Sequence, residues 1–221
     1  MTEYLLPMDM SGSTTEPTQD LATRIAARAL ADRGAVYASE VRRLLDAALV
    51  VIRSLGTNSR PRVADIVAQA GLSNDVFYRH FKSKDALVSA ILEDGSERLA
   101  TYVAHQMDKE TTPEGKIRRW VEGVLSQADE DSAATTRAVL WNAGGTGVGA
   151  VSGPPSASGP LATLLRGPLA QLGSAAPEFD AILAAHATVG KLSDYLWQRI
   201  QPTDSDIDRI TEFCLRTITP A

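Results

Sequence analysis

The sequence predicts an all-α protein, and three observations carry that prediction. Apolar residues recur every three or four positions along most of the 221-residue chain. Serine, threonine, proline and glycine stand where helices start and stop. No stretch alternates apolar and polar residues as a half-buried strand would. Hydrophobic residues make up 44% and charged residues 22%, which excludes a disordered or collagen-like chain. No apolar run is long enough to span a bilayer, and the opening Met1-to-Thr14 stretch lacks the basic start of a secretory signal. Cys214 is the only cysteine, so an intrachain disulfide and a multi-cysteine metal site are excluded. A soluble cytoplasmic protein without a cofactor is expected.

Residues 1–20, rich in Ser, Thr, Gly and Pro, read as a mobile tail, and residues 1–37 together as a flexible extension. Within it, residues 21–33 suit a short amphipathic helix with Gly34 as its stop. From Ser39 the pattern is clearer. Val41, Leu44, Leu45, Ala48, Val51, Ile52 and Leu55 share a helical face, and Gly56 follows as the cap. Pro61 suits the first position of a second helix carrying Ile66 and Val67 and ending at Gly71. Ser73 caps a short helix from Asn74 to His80, and Ser83 caps a long one reaching about Met107, with Gly95-Ser96 as a candidate kink.

Further helices are expected after Pro113 and after Ser132. Another covers Leu161–Leu172, interrupted at Gly167-Pro168. Pro177 opens one with Phe179, Ile182, Leu183, Val189, Leu192, Leu196, Trp197 and Ile200 as its apolar side, and Thr203 or Asp204 caps the last. Residues 143–160 read as a low-complexity loop. Their Gly145-Thr146-Gly147-Val148-Gly149 run lacks both a preceding strand and a Gly-Lys-Ser/Thr end, so it is a linker and no phosphate cradle.

Net charge is −5, which argues against a polyanion partner for the chain as a whole. The distribution is uneven: residues 39–92 hold eight Lys/Arg against five Asp/Glu, whereas residues 93–221 hold eleven against seventeen. The basic segment also contains two short helices joined by Ala70-Gly71-Leu72-Ser73, the dimensions of a helix-turn-helix. Its glycine supplies the positive φ such a turn needs. If Phe77 packs inward, the outward set is Asn74, Asp75, Tyr78, Arg79 and His80. Tyr78 and His80 can donate to phosphates, and Arg79 and Lys84 add charge, Lys84 from the first turn of the following helix. Base readout falls to Asn74 and Asp75, with Arg60 or Arg62 from the helix before, and Ser73 is counted with this face.

The stretch Leu44–Leu92, with its Ala-Gly-Leu-Ser turn, Phe77-Tyr78-Arg79-His80-Phe81 and Ser83-Lys84-Asp85-Ala86-Leu87, resembles the DNA-binding domain of TetR-family transcriptional regulators. Asn74-Asp75 departs from the family pattern, which often has Lys-Gly there. The resemblance implies a helix-turn-helix DNA-binding domain over residues 38–92, followed over 93–221 by a helical effector-binding and dimerisation domain. It implies a bacterial, homodimeric, ligand-responsive regulator. This would be a repressor released from a near-palindromic double-stranded operator by a small apolar effector, with no membrane partner. The alternative is a DNA-binding interaction protein whose C-terminal domain takes a protein partner.

Effector contacts are expected from Tyr102, Trp120, Trp141, Phe179 and His186, although aromatics at helical spacing also serve as plain core and His186 as a structural histidine. The dimer is expected to use the last two helices, through Ala185, Gly190, Ser193, Leu196, Trp197, Ile210 and Cys214. His80, His105 and His186 lie too far apart for metal-ligand spacing, and no catalytic triad or carboxylate pair stands out, so no enzyme is expected.

Overall fold

Nine α-helices and one 3-10 turn build the described part of the chain, and no strand occurs among the described residues. The structure is a computed structural model that describes residues 20–143, 158–216 and 218. Of the loop expected over 143–160, residues 144–157 lie outside the described residues, and the described ends, Ala143 and 158–160, are helical instead. The chain divides into two units, residues 1–39 and 40–221.

Helix α1 (Leu21–Leu55) crosses that division. The expected stop at Gly34 does not occur. A glycine inside a helix costs only about 1 kcal/mol relative to alanine, and helix formers flank Gly34 on both sides. The positive-φ glycine that ends the helix is Gly56, as expected. In the first unit every described residue is exposed, Leu21, Ile25 and Leu30 included.

In the second unit, the C-terminal part of α1 packs with α2 (Val63–Ala70), α3 (Asn74–His80) and the start of α4 (Lys84–Met107). Leu44, Ile52, Ile66, Phe77 and Leu87 are fully buried there, joined by Ala138 and Val139 of α6 (Glu130–Ala143). Helix α2 starts at Val63 with Arg62 at its cap position, so Pro61 precedes the helix instead of opening it. Helix α4 runs without a break past Gly95, about 36 Å at 1.5 Å per residue. Helix α6 begins earlier than Ser132. The Asp129 carbonyl accepts from Ser132 and Ala133, and Glu130 and Asp131 set negative charge against the helix's positive end.

A second core joins α4, α5 (Pro113–Leu125), α7 (Ser158–Gln171), α8 (Pro177–Gln198) and α9 (Asp204–Arg216). Helix α7 continues through Pro168, against expectation. Leu161, Leu165, Pro168 and Leu169 form one buried face, and that burial offsets the missing N–H. Helix α9 is capped by Thr203: its N–H donates to Asp206 Oδ2 at 2.9 Å, and Asp206 N–H donates back to Thr203 Oγ1 at 3.3 Å. The Thr203 hydroxyl also donates to Asp206 Oδ2 at 2.7 Å, and this bond, with the one from Thr203 N–H, holds the Asp206 carboxyl below the usual carboxylate range.

The buried face of α8 differs from the expected one. Ala181, Ala184, Ala185, Thr188, Leu192 and Leu196 face inward, while Phe179, Ile182, Leu183, Trp197 and Ile200 are exposed. The physical reason is close packing: the alanines let α8 lie tight against α7, which leaves the bulky residues outside.

Candidate nucleic-acid interface

The turn between α2 and α3 is locked from two sides. Gly71 adopts φ 62°, ψ 39°, the left-handed conformation that glycine tolerates best. Arg43 of α1 donates from Nη2 to the carbonyls of Ala70 at 2.6 Å and Gly71 at 3.1 Å. Those carbonyls sit at the negative end of α2, where a guanidinium is favoured. A Cβ at Gly71 would meet that nitrogen at 3.2 Å, so the glycine also makes room for the arginine.

Helix α3 is then set by one cap and one anchor. Ser73 Oγ accepts from Val76 N–H at 3.3 Å. Phe77 is fully buried and meets Tyr78 edge-on at 5.2 Å and Phe81 at 6.0 Å between ring centroids. With Phe77 inward, Asn74, Asp75, Tyr78 and Arg79 are exposed. Ser83 Oγ caps α4 by accepting from Ala86 N–H at 3.1 Å, placing half-buried Lys84 in the first turn.

His80 departs from its expected outward position. Its side chain is completely buried, with Nε2 2.7 Å from Glu40 Oε2 on α1. Position 80 lies three residues after Phe77, so it turns toward the same interior. Arg79 Nη1 lies 3.5 Å from that same oxygen. Arg60 and Arg62 are exposed, and the Arg60 guanidinium stacks 5.6 Å over the Trp141 ring of α6. Sequence reasoning missed Glu40 and Arg43. Both lie on α1 about 30–40 residues from their partners, and no local signal marks such a pairing.

The five expected effector residues are not brought together. Trp120 is core, with Nε1 donating to the Leu161 carbonyl at 2.9 Å. Tyr102 and Phe179 are exposed, and Trp141 carries the Arg60 stack. His186 Nδ1 donates to the Ile182 carbonyl at 2.7 Å, which leaves Nε2 3.3 Å from Ser158 Oγ. A cavity of about 310 Å³ lies elsewhere, walled by Leu49, Ile91, Leu99, Val139, Leu161 and Leu192 and by none of those five. Sequence spacing cannot find it, because its wall sets one stretch of α4 against residues of α1, α6, α7 and α8 that are distant in sequence.

The expected dimer residues divide similarly. Ala185, Leu196 and Cys214 are buried in the chain's own core. Ser193 lines the cavity, Ile210 is half-buried against the core, and Gly190 and Trp197 are exposed. Burial raises the Cys214 thiol to about 11. Phe179, Leu183, His186, Gly190 and Trp197 recur at helical spacing and make one exposed stripe along α8.

Residues 44–91 match the family described as bacterial regulatory proteins, tetR family. The HTH-type transcriptional regulator BetI of Cronobacter sakazakii (strain ATCC BAA-894) is 30% identical over 95 residues. That alignment takes in 42% of this chain and 46% of the relative, so the chain spans just under half of that protein's length. Among solved structures, RolR in complex with resorcinol superposes with a TM-score of 0.59 at 15% identity, covering 85% of this chain and 91% of that one. A bacterial regulatory protein in the tetR family from Rhodococcus RHA1 gives 0.52 at 18% identity, covering 82% and 98%. At these identities the structures speak for the fold alone. With the turn and its capping serines in place, residues 44–91 form a helix-turn-helix domain like that of the tetR family of bacterial regulatory proteins.

Proposed function

We propose that this chain is a transcriptional repressor that binds an operator as a homodimer and leaves it when a small molecule enters the cavity beside α4. The observation that carries the DNA-binding part is the presentation of α3. Phe77 anchors it, Arg43 fixes the turn before it, and Asn74, Asp75, Tyr78 and Arg79 are left exposed. In this reading Asn74 and Asp75 read base edges, while Tyr78, Arg79 and Lys84 position the backbone. His80 acts from inside, by holding the end of α3 to Glu40.

The exposed apolar stripe on α8 supports a second copy as its partner, since a two-fold dimer would bury the stripe against itself. Two α3 helices related by that axis would read a near-palindromic site. The cavity favours a small-molecule signal over the alternative of a protein partner. Helix α6 connects the two regions: Val139 both lines the cavity and packs in the core beneath α3.

The test is selection of duplexes from a random-sequence library by the full chain. Enrichment of an inverted repeat is expected. Recovery of sequences with no shared motif would overturn the reading.

A further inference from the structure

The polar groups of the cavity go further than its existence, and what they imply rests on the effector-site reading above. Seven polar residues line it. Asp94 is paired with Arg98 at 2.9 Å and Arg42 at 3.5 Å. Ser96 Oγ donates to the Leu92 carbonyl at 2.8 Å. Thr135 Oγ1 accepts from Arg53 Nε at 2.8 Å, and Thr136 Oγ1 donates to Gln127 Oε1 at 3.3 Å. Two half-buried groups remain without a partner among the described residues: the Gln127 amide N–H pair and the Ser193 hydroxyl.

The two lining charges cancel. A carboxylate ligand would face Asp94, and the nearby cations, Arg98 and Arg42 on Asp94 and Arg53 on Thr135, are each already engaged. An ammonium ligand would face an Asp94 already shared by two arginines. Either ion would lose hydration without gaining a dedicated counter-charge. A neutral molecule meets no such penalty. Its chain would contact Leu49, Ile91, Leu99, Val139, Leu161 and Leu192. One oxygen would accept from Gln127 or bond Ser193, which a pure hydrocarbon cannot do.

We propose that the cavity selects neutral aliphatic molecules bearing a carbonyl or hydroxyl oxygen, which Gln127 and Ser193 recognise.

The experiment compares 2-decanone, decanoate and decylamine as ligands of the full chain, by thermal shift and by calorimetric titration at pH 7.5. 2-Decanone is expected to bind, with both ions weaker by at least roughly tenfold. Gln127→Leu should weaken 2-decanone by roughly tenfold or less, the worth of one hydrogen bond. Ser193→Ala gives a second reading should Gln127→Leu fold poorly. Leu99→Trp, which fills the cavity, should abolish binding. Binding of decanoate or decylamine as tight as the ketone would overturn the neutral class while leaving the effector-site reading intact. Ketone binding that survives Leu99→Trp, or the absence of binding by all three probes, would overturn both. Ketone affinity unchanged in Gln127→Leu and Ser193→Ala would overturn the recognition assigned to those residues.

Discussion

Arg43 and Ala70 stand 27 residues apart in sequence, yet the arginine's Nη2 lies 2.6 Å from the alanine's carbonyl oxygen. That bond ties α1 to the last residue of α2, at the point where the chain turns toward α3. Arg43→Met keeps much of the apolar stem and removes the donor. It should cost about 1–2 kcal/mol, because two carbonyls lose a charged partner but stay partly open to water. Urea denaturation should show a lower midpoint with an unchanged slope. An unchanged midpoint would mean that solvent replaces the guanidinium without loss.

The Glu40–His80 pair does the same at the other end of α3. Glu40→Ala leaves a fully buried imidazole without its carboxylate. A loss of about 1–3 kcal/mol is expected from the lost charged hydrogen bond, and operator affinity should fall in parallel, as α3 loses its tie to Glu40. Glu40→Gln, which keeps an acceptor at the same distance, should recover part of both. Stability lost with full operator affinity retained would show that α3 is held well enough by Phe77 alone.

Much of this region is legible in the sequence because its signals are local. Gly71 in the turn, Ser73 and Ser83 as caps, Gly56 as a stop and Pro177 as a start each act within four residues of themselves. The misreadings share the opposite cause. Gly34 looks like a stop until the helix formers around it outweigh the glycine. Phe179 and Leu183 look like core until the neighbouring alanines take the tight contact with α7. His80 looks like a phosphate ligand until Glu40 appears from a distant part of α1. The cavity gives no sequence signal, since the α4 stretch in its wall is completed by residues of α1, α6, α7 and α8 that lie far away in the chain.

The exposed stripe on α8 predicts the oligomeric state. Phe179 is 67% exposed and Trp197 is 47% exposed. Charging such a face costs little in a monomer and much in a self-complementary interface. Leu183→Glu with Trp197→Glu should give a folded monomer by sedimentation velocity, with operator binding reduced. A variant that stays dimeric would place the interface elsewhere.

Cys214 yields a prediction on pH. Burial raises its thiol to about 11 from an unfolded value near 9. The native state therefore holds this proton more tightly. Its contribution to stability is complete below about pH 9 and is lost as pH rises through 11. At pH 8 the thiol is neutral and buried, so iodoacetamide should label it only when urea unfolds the chain. Rapid labelling of the native protein would contradict the burial of α9 against the core.

Gly95 lies mid-way along α4, in the cavity wall, and a Cβ there would meet nothing within 4 Å. Gly95→Ala should therefore raise stability by about 1 kcal/mol. If α4 bends at this point during release, the ligand concentration needed to free the operator should also rise. Gained stability with unchanged release would mean that α4 moves as a rigid rod.

Whether α3 reads DNA is decided by fluorescence anisotropy with the duplex enriched by selection. Wild type, Asn74→Ala and Lys84→Ala are titrated at several salt concentrations, alongside a random duplex. Lys84→Ala should weaken both duplexes alike and reduce the salt slope by about 1. Asn74→Ala should lose roughly 1–3 kcal/mol on the enriched duplex and almost nothing on the random one. If both variants bind the enriched duplex with wild-type affinity and salt dependence, the operator is not read by this face of α3.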